Sequence, residues 1–312
     1  GKGGEWSLSK EQLKFAQDDA TRVAIRIQER AGLDIISDGE QRRKNYVTHL
    51  TSNMAGFDYT NLKPKEMRGG RRTLLAGCCI KQIQHQHGII TDDLLFLKSE
   101  TDKPVKITLP GPMTVVDSTN NQFYSSEKDM AFAWAQAINK EAKLLDAVGA
   151  NIIQFDEPAF SRYPEKVEDW GIEALDLCVE GLNCTTAVHV CYGYPQPGLL
   201  RPVSDAYNTI IALLDHSKVD QLALEFEGAN LDPALLKNCP SKTIIFGCVF
   251  NSDEIMEKPS NVAKRLLAAG EYIDPVQIQA APDCGLVMMN DSTALQKLQI
   301  LVEGAKIARK TL

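Results

Sequence analysis

From residue 103 onward, short β-branched and aliphatic runs alternate with stretches of helical periodicity. Runs at 105–109, 151–155, 185–191, 222–226, 243–250 and 276–281 read as strands. Helical spacing covers 127–148, 165–183, 203–217, 233–238, 259–270 and 291–309. Upstream, the capping box Ser9-Lys10-Glu11-Gln12 opens a helix that runs to about residue 32, and 33–37 supplies a seventh strand. Strands joined through helices lie parallel, with right-handed crossovers. Two architectures meet that demand: an open doubly wound sheet and a (β/α)8 barrel.

The barrel is preferred because chemically informative residues gather at the C-terminal ends of the strands, where barrel enzymes build their sites. These are Asp38, Pro110, Asp156, His189 with Cys191, Glu225, Asp253 and Cys284. An eight-stranded barrel needs one more strand. The chain opens on a helix, so the expected place for that strand is before residue 1, either missing from the sequence or disordered. The expectation is therefore an α/β fold, a single catalytic (β/α)8 TIM barrel over 1–312. Residues 41–56 read as helix. An irregular, hairpin-like insertion is expected around 57–100, extended over 74–83, with a basic tip at Arg68-Gly69-Gly70-Arg71-Arg72. That tip is either a solvated loop or a contact for an anionic substrate or partner.

Within this frame Thr185 to Tyr192 carries the sharpest chemistry. Side chains at i and i+2 of a strand share a face, so His189 and Cys191 point the same way. An imidazole and a thiolate suit zinc, which takes tetrahedral nitrogen and sulfur ligands. The bland alternative is a packed histidine beside an inert buried cysteine. Two further strands end in candidate ligands: 222–227 carries Glu225 and Glu227, and 276–285 ends in Cys284 beside a glycine turn. Parallel neighbours would bring these side chains to one rim.

Composition excludes several other functions. A net charge of −7 gives no basic footprint for nucleic acid. No apolar run approaches the roughly 20 residues that span a membrane, and Gly1-Lys2-Gly3-Gly4 lacks the apolar core of a signal peptide. Eight scattered cysteines without a C-x-x-C pattern point to free thiols in a reducing cytoplasm. Cys78-Cys79 face opposite ways if extended. His85 and His87 would share a face there, but no cysteine or acidic motif joins them as a second metal site. His49 and His216 read as surface or core histidines; Cys178, Cys184, Cys239 and Cys248 read as buried small residues.

Five motifs then stand in order: Asp38-Gly39-Glu40, Gly111-Pro112-Met113-Thr114, Ile153 to Ala159, His189-Val190-Cys191-Tyr192 and Pro282-Asp283-Cys284-Gly285-Leu286. Together they resemble the C-terminal catalytic barrel of cobalamin-independent methionine synthase, in the short, single-barrel form of that family. The resemblance implies a zinc ion held by His189, Cys191, Glu225 and Cys284. Glu225 is taken over Glu227 because Val219 to Glu225 resembles the family's ligand strand. It implies that Asp156 binds the amino group of homocysteine, which receives a methyl group to become methionine. Asp38 is either a second substrate contact or a turn residue.

The sequence also departs from the family. Thr48 stands where the family has a second acidic contact to the amino group. Ser118 stands where a tryptophan faces the folate pterin, and Asp253 lies near the place of a catalytic histidine. A Gly-Ser segment on the first strand is absent from the sequence. The donor is therefore left between methyl-folate and a methyl-corrinoid protein. A zinc alkyltransferase for another thiol, such as a coenzyme M-like substrate, and a non-catalytic zinc barrel are the competing readings.

The donor set itself implies a direction of chemistry. A thiol of pKa near ~8.5 must lose its proton to act as nucleophile. Two thiolates and a carboxylate more than neutralise zinc, so a substrate sulfur stays electron-rich, which suits attack on a methyl carbon better than carbonyl polarisation. Glu225 is the ligand expected to step aside for the substrate. Asp156 would make a charge-assisted bond to its ammonium, and Asp253 would serve a leaving group or a water.

Overall fold

The computed structural model describes residues 8–67, 70, 72–194 and 203–311. The opening Gly1-Lys2-Gly3-Gly4 and the basic residues Arg68 and Arg71 lie outside the described residues. α1 (Lys10–Ala31) starts at the expected capping box: Gln12 N–H donates to Ser9 Oγ, and Ser9 N–H donates to the Gln12 side chain. β1 (Ile36–Ser37) and α2 (Tyr46–Thr51) follow. Next come the long strands β2 (Ala55–Met67) and β3 (Arg72–Gln84), then α3 (Thr91–Glu100), β4 (Val105–Pro110), α4 (Pro112–Ser118) and β5 (Asn120–Asn121). α5 (Glu127–Ala147) leads to β6 (Ile152–Asp156). α6 (Pro164–Lys166) continues through a π-helical turn (Val167–Gly171) into α7 (Ile172–Val179). β7 (Thr185–Val190), α8 (Tyr207–Asp215), β8 (Gln221–Leu224), β9 (Thr243–Val249), α9 (Pro259–Ala269), β10 (Ile278–Pro282) and α10 (Asp291–Thr311) complete the chain.

Seven strands form one curled parallel sheet in the order β1-β4-β6-β7-β8-β9-β10, a fold of TIM-barrel type. All seven expected strands are there, each within a few residues of its expected bounds. Among the described residues no eighth strand closes the gap between β1 and β10.

Alternation along the strands sorts the core into two layers. Val105, Ile107, Leu109, Ile153, Phe155, Val188, Val190, Leu222 and Leu224 face the helices and join the main core. Ile152, Ala187, Ala223 and Ile245 face the other way and pack as a small cluster of their own inside the curl. The residues two places further along each strand therefore reach the C-terminal rim on that inner face: Gln154 and then Asp156 on β6, His189 and then Cys191 on β7.

The N-terminal third departs most from expectation. Residues 41–56 are helical only over α2, because Ala55 already begins a strand. The insertion at 57–100 is ordered: β2 and β3 pair antiparallel, β5 adds to β3, and α3 occupies 91–100. Among the described residues, His85 and His87 join no cluster of metal-binding side chains. His85 Nε2 lies 2.6 Å from Glu141, whose buried carboxylate also accepts from the N–H groups of Ile89 and Ile90, the two residues before α3. That helix has no side-chain cap of its own, and Glu141 on α5 supplies one. No described helix is long and apolar enough to cross a membrane.

Candidate metal centre

His189, Cys191 and Cys284 converge at the rim. One ligand atom from each lies within 4.8 Å of the others. β7 and its continuation supply the first two, and the turn after β10 supplies the third. His189 Nδ1 lies 3.0 Å from Ala223 O. A carbonyl only accepts, so Nδ1 donates to it and Nε2 is the ring nitrogen left to face the cluster. That atom is buried and makes no hydrogen bond, as expected of a ligand nitrogen oriented by a partner behind it.

The electrostatics fit the same reading. The hydrogen bond from Cys284 holds the Cys191 thiol well below its ordinary range, against burial and with help from His189. That hydrogen bond and burial hold Cys284 above its range. Burial alone would depress the His189 imidazole, but Cys191 and Asp156 outweigh it and lift it to about 9. A divalent cation would displace the protons that these groups still hold. One nitrogen and two sulfurs are a donor set for zinc rather than for calcium or magnesium.

The backbone around the cluster is fixed. Ser161 Oγ donates to Cys191 O at 2.7 Å, and Glu157 N–H donates to His189 O at 2.8 Å. Beside Cys284, Asp283 is buried and accepts from Phe226, Glu227 and Gly228 N–H at 2.6 to 3.0 Å. It therefore ties the end of β10 to the loop after β8. A Cβ on Gly247 would stand 2.3 Å from Asp283 Oδ1, so only glycine admits this tie. Glu225 is fully buried and accepts from Tyr192 N–H at 2.8 Å, next to Cys191 along the chain. It does not join the three converging ligand atoms. Glu227 turns to Arg265 on α9 at 2.7 Å.

Asp156 stands opposite His189 in the sheet register. Burial, with Glu40, raises its carboxyl to about 6 against His189 and Gln154. Its neighbour Glu157 has a different task. It accepts from Met113 N–H, Thr114 N–H and Thr114 Oγ1 at 2.8 to 2.9 Å, joining β6 to the start of α4. Burial still pushes its carboxyl up to about 8. A Cβ on Gly111 would overlap this carboxylate at 2.4 Å. Gly111-Pro112-Met113-Thr114 is therefore a cradle for Glu157.

The remaining expected residues are not among the three converging ligands. Asp38 is buried, accepts from Glu40 N–H and pairs with Arg43 at 3.5 Å. Thr48 is half-buried on α2, and Ser118 is half-buried at the end of α4. Asp253 is exposed on the loop after β9. Sequence reasoning passed over Glu40, which stands at φ +56° and accepts from Thr108 Oγ1 and Arg43. It also passed over Tyr46, which lies within electrostatic reach of Asp156 and Cys191, and Tyr194, which faces Cys284.

Comparison with known proteins decides the family. The description "Cobalamin-independent synthase, Catalytic domain" matches residues 2–307. The chain belongs to the cobalamin-independent synthase family. A methionine synthase of Sulfurisphaera tokodaii is 34% identical over 306 residues, covering 98% of this chain and 86% of that one. A methionine synthase of Thermococcus kodakarensis is 32% identical over 307 residues, covering 98% and 87%. The structure of a B12-independent methionine synthase from a Shewanella species, in complex with selenomethionine, superposes with a TM-score of 0.92 at 33% identity, covering 98% of this chain and 91% of that one. The protein is a methyltransferase of methionine synthase type.

Proposed function

We propose that this methyltransferase moves a methyl group onto the sulfur of homocysteine, giving methionine, with zinc held by His189, Cys191, Cys284 and Glu225. The observation that carries the reading is the convergence of one nitrogen and two sulfurs within 4.8 Å, with Asp156 across the register from His189. When bound, zinc supplies a cation that keeps a coordinating thiol deprotonated. This chain's own residues do the rest. Ala223 O orients His189. Asp156 attracts the substrate ammonium through a charge-assisted bond, and so fixes the amino acid while its sulfur lies at the cluster. Glu225 accepts from Tyr192 N–H beside Cys191, and would be the fourth ligand, the one to yield its place to a substrate sulfur.

The Shewanella relative's complex with selenomethionine, the selenium counterpart of the expected product, supports this substrate class. A methyl-corrinoid donor suits the site better than methyl-folate, because Ser118 offers no ring face to a pterin. Free thiols suit a cytoplasmic setting. The test is a donor screen on zinc-loaded protein with homocysteine, read as methionine by mass spectrometry. A methylated corrinoid protein or methylcobalamin should give product, and methyltetrahydrofolate little. Turnover with methyltetrahydrofolate alone would reverse the donor assignment, and no methionine from any donor would reject homocysteine as the acceptor.

A further inference from the structure

Inside the curl, next to the apolar layer of Ile152, Ala187, Ala223 and Ile245, lies a polar chain that the metal centre does not use. Lys106 on β4 donates through Nζ to Gln154 Oε1 at 2.9 Å, and Gln154 Nε2 donates to Asp156 Oδ1 at 2.8 Å. The register sets this up. Lys106 pairs with Ile152, and Gln154 lies two residues further along β6, about 6–7 Å at strand rise. That is the reach of an extended lysine side chain.

The direction of each bond is forced. An ammonium only donates, so it takes the amide oxygen of Gln154. The amide's NH2 is then left to face Asp156, which as a carboxylate only accepts. Reversing the amide would set its NH2 against an ammonium and its oxygen against a carboxylate. The chain therefore has one stable polarity, running from a cation below to the carboxylate at the rim. An interior site for a lysine is costly unless its charge meets a partner, and apolar residues already fill the neighbouring inner positions. Filling space does not explain the pair.

We propose that Lys106 and Gln154 are positioning residues that hold the Asp156 carboxylate in the orientation that receives the amino group of the substrate. This deepens the reading of Asp156 as the ammonium site and rests on it. Neither residue touches substrate in this scheme. They set where the accepting oxygen points, and Lys106 balances the charge of a carboxylate that also faces Glu40.

The test compares two thiols on the zinc-loaded full chain by calorimetric titration: L-homocysteine and 4-mercaptobutyrate, which is homocysteine without the amino group. The native protein should prefer homocysteine by roughly 10- to 100-fold, the range of a hydrogen bond to a charged group. Lys106→Met and Gln154→Met, both close in length to the native residues, should each lower that preference by about fivefold or more. Zinc content and 4-mercaptobutyrate affinity should stay as in the native protein. Added to Asp156→Ala, either change should do nothing further to the preference. If the native protein shows no preference, Asp156 is not the ammonium site and the proposal falls with it. If the native protein discriminates and both variants discriminate equally well, only the positioning role is overturned. Equal weakening of both thiols, or loss of zinc, gives the pair a structural role and overturns the proposal too.

Discussion

Two regions of the same rim treat buried polar groups in opposite ways. Around β6 and α4, Glu157 is met by three donors, and at the end of β10 Asp283 is met by three more. These carboxylates are finished by the protein. At the cluster between them, His189 Nε2 is buried with no hydrogen bond, and two sulfurs face each other with opposite shifts in acidity. A buried polar atom without a partner costs about 1–3 kcal/mol, so an unfinished site held by a finished frame is arranged for a ligand. Burial and charge alone do not separate site from scaffold here, because Glu157 is as buried as any ligand. Saturation does.

Changes at each region should break this contrast in different ways. The largest effect falls on the unfinished side. Sharing the roughly 10–16 kcal/mol of a protein-held zinc among four ligands puts one ligand at about 3 kcal/mol, on the order of a hundredfold in affinity. Cys284→Ser should therefore purify nearly metal-free by elemental analysis, with an unchanged circular dichroism spectrum. Full metal retention would remove Cys284 from the ligand set. The next effect falls on the finished side. Glu157→Gln sets an NH2 group among donors that need acceptors, at about 2–3 kcal/mol. It should lower the melting temperature while the folded fraction keeps its metal. Metal loss with an unchanged melting temperature would place Glu157 in the site instead of the frame.

The sequence displayed these two regions unequally. Parallel strands are buried on both faces, so Thr243 to Phe250 reads as a near-continuous apolar run and its bounds were legible. Ala55 to Met67 was not, because much of β2 is exposed and carries Asp58, Lys63, Lys65 and Glu66 without a clean alternation. α4 was hidden by Gly111-Pro112, which reads as a turn, although proline at the first helical position opens the helix here. His189, Cys191 and Cys284 could be found because ligand chemistry is visible in residue type. The work of Glu157 and of the Lys106–Gln154 pair could not, because it depends on what crosses from one strand to the next. One signal was available: Lys106 and Gln154 are polar residues at inward positions of otherwise apolar strands.

Asp156 belongs to neither extreme, and pH sharpens its place. Burial and Glu40 hold its carboxyl up to about 6. Only the carboxylate form attracts an ammonium. The preference for homocysteine over 4-mercaptobutyrate should therefore be flat above that pH and fall as pH drops through it, approaching about tenfold per unit. Taking the ratio of two thiols cancels protonation of sulfur and of the metal ligands, which both probes share. A preference that does not change between pH 5 and pH 8 would show that another group sets it.

The smallest effect is expected at Asp253, and it tests whether the contrast extends to β9. The sequence suggested this residue for a leaving group or a water because it lies near the place of the family's catalytic histidine, after a strand at the C-terminal rim. Its side chain is exposed, and the nearby fixed points of the loop are elsewhere: Glu257 accepts from Phe250 N–H and pairs with the buried Lys297 at 2.8 Å. Asp253 is thus neither saturated like Glu157 nor buried and open like His189. Asp253→Ala should leave metal content, thiol affinity and melting temperature within the roughly 0.5 kcal/mol typical of surface changes. A large fall in turnover with all three unchanged would mean that this loop closes over the rim during methyl transfer and carries Asp253 to the reacting atoms. Buried groups alone would then be an incomplete guide to the site.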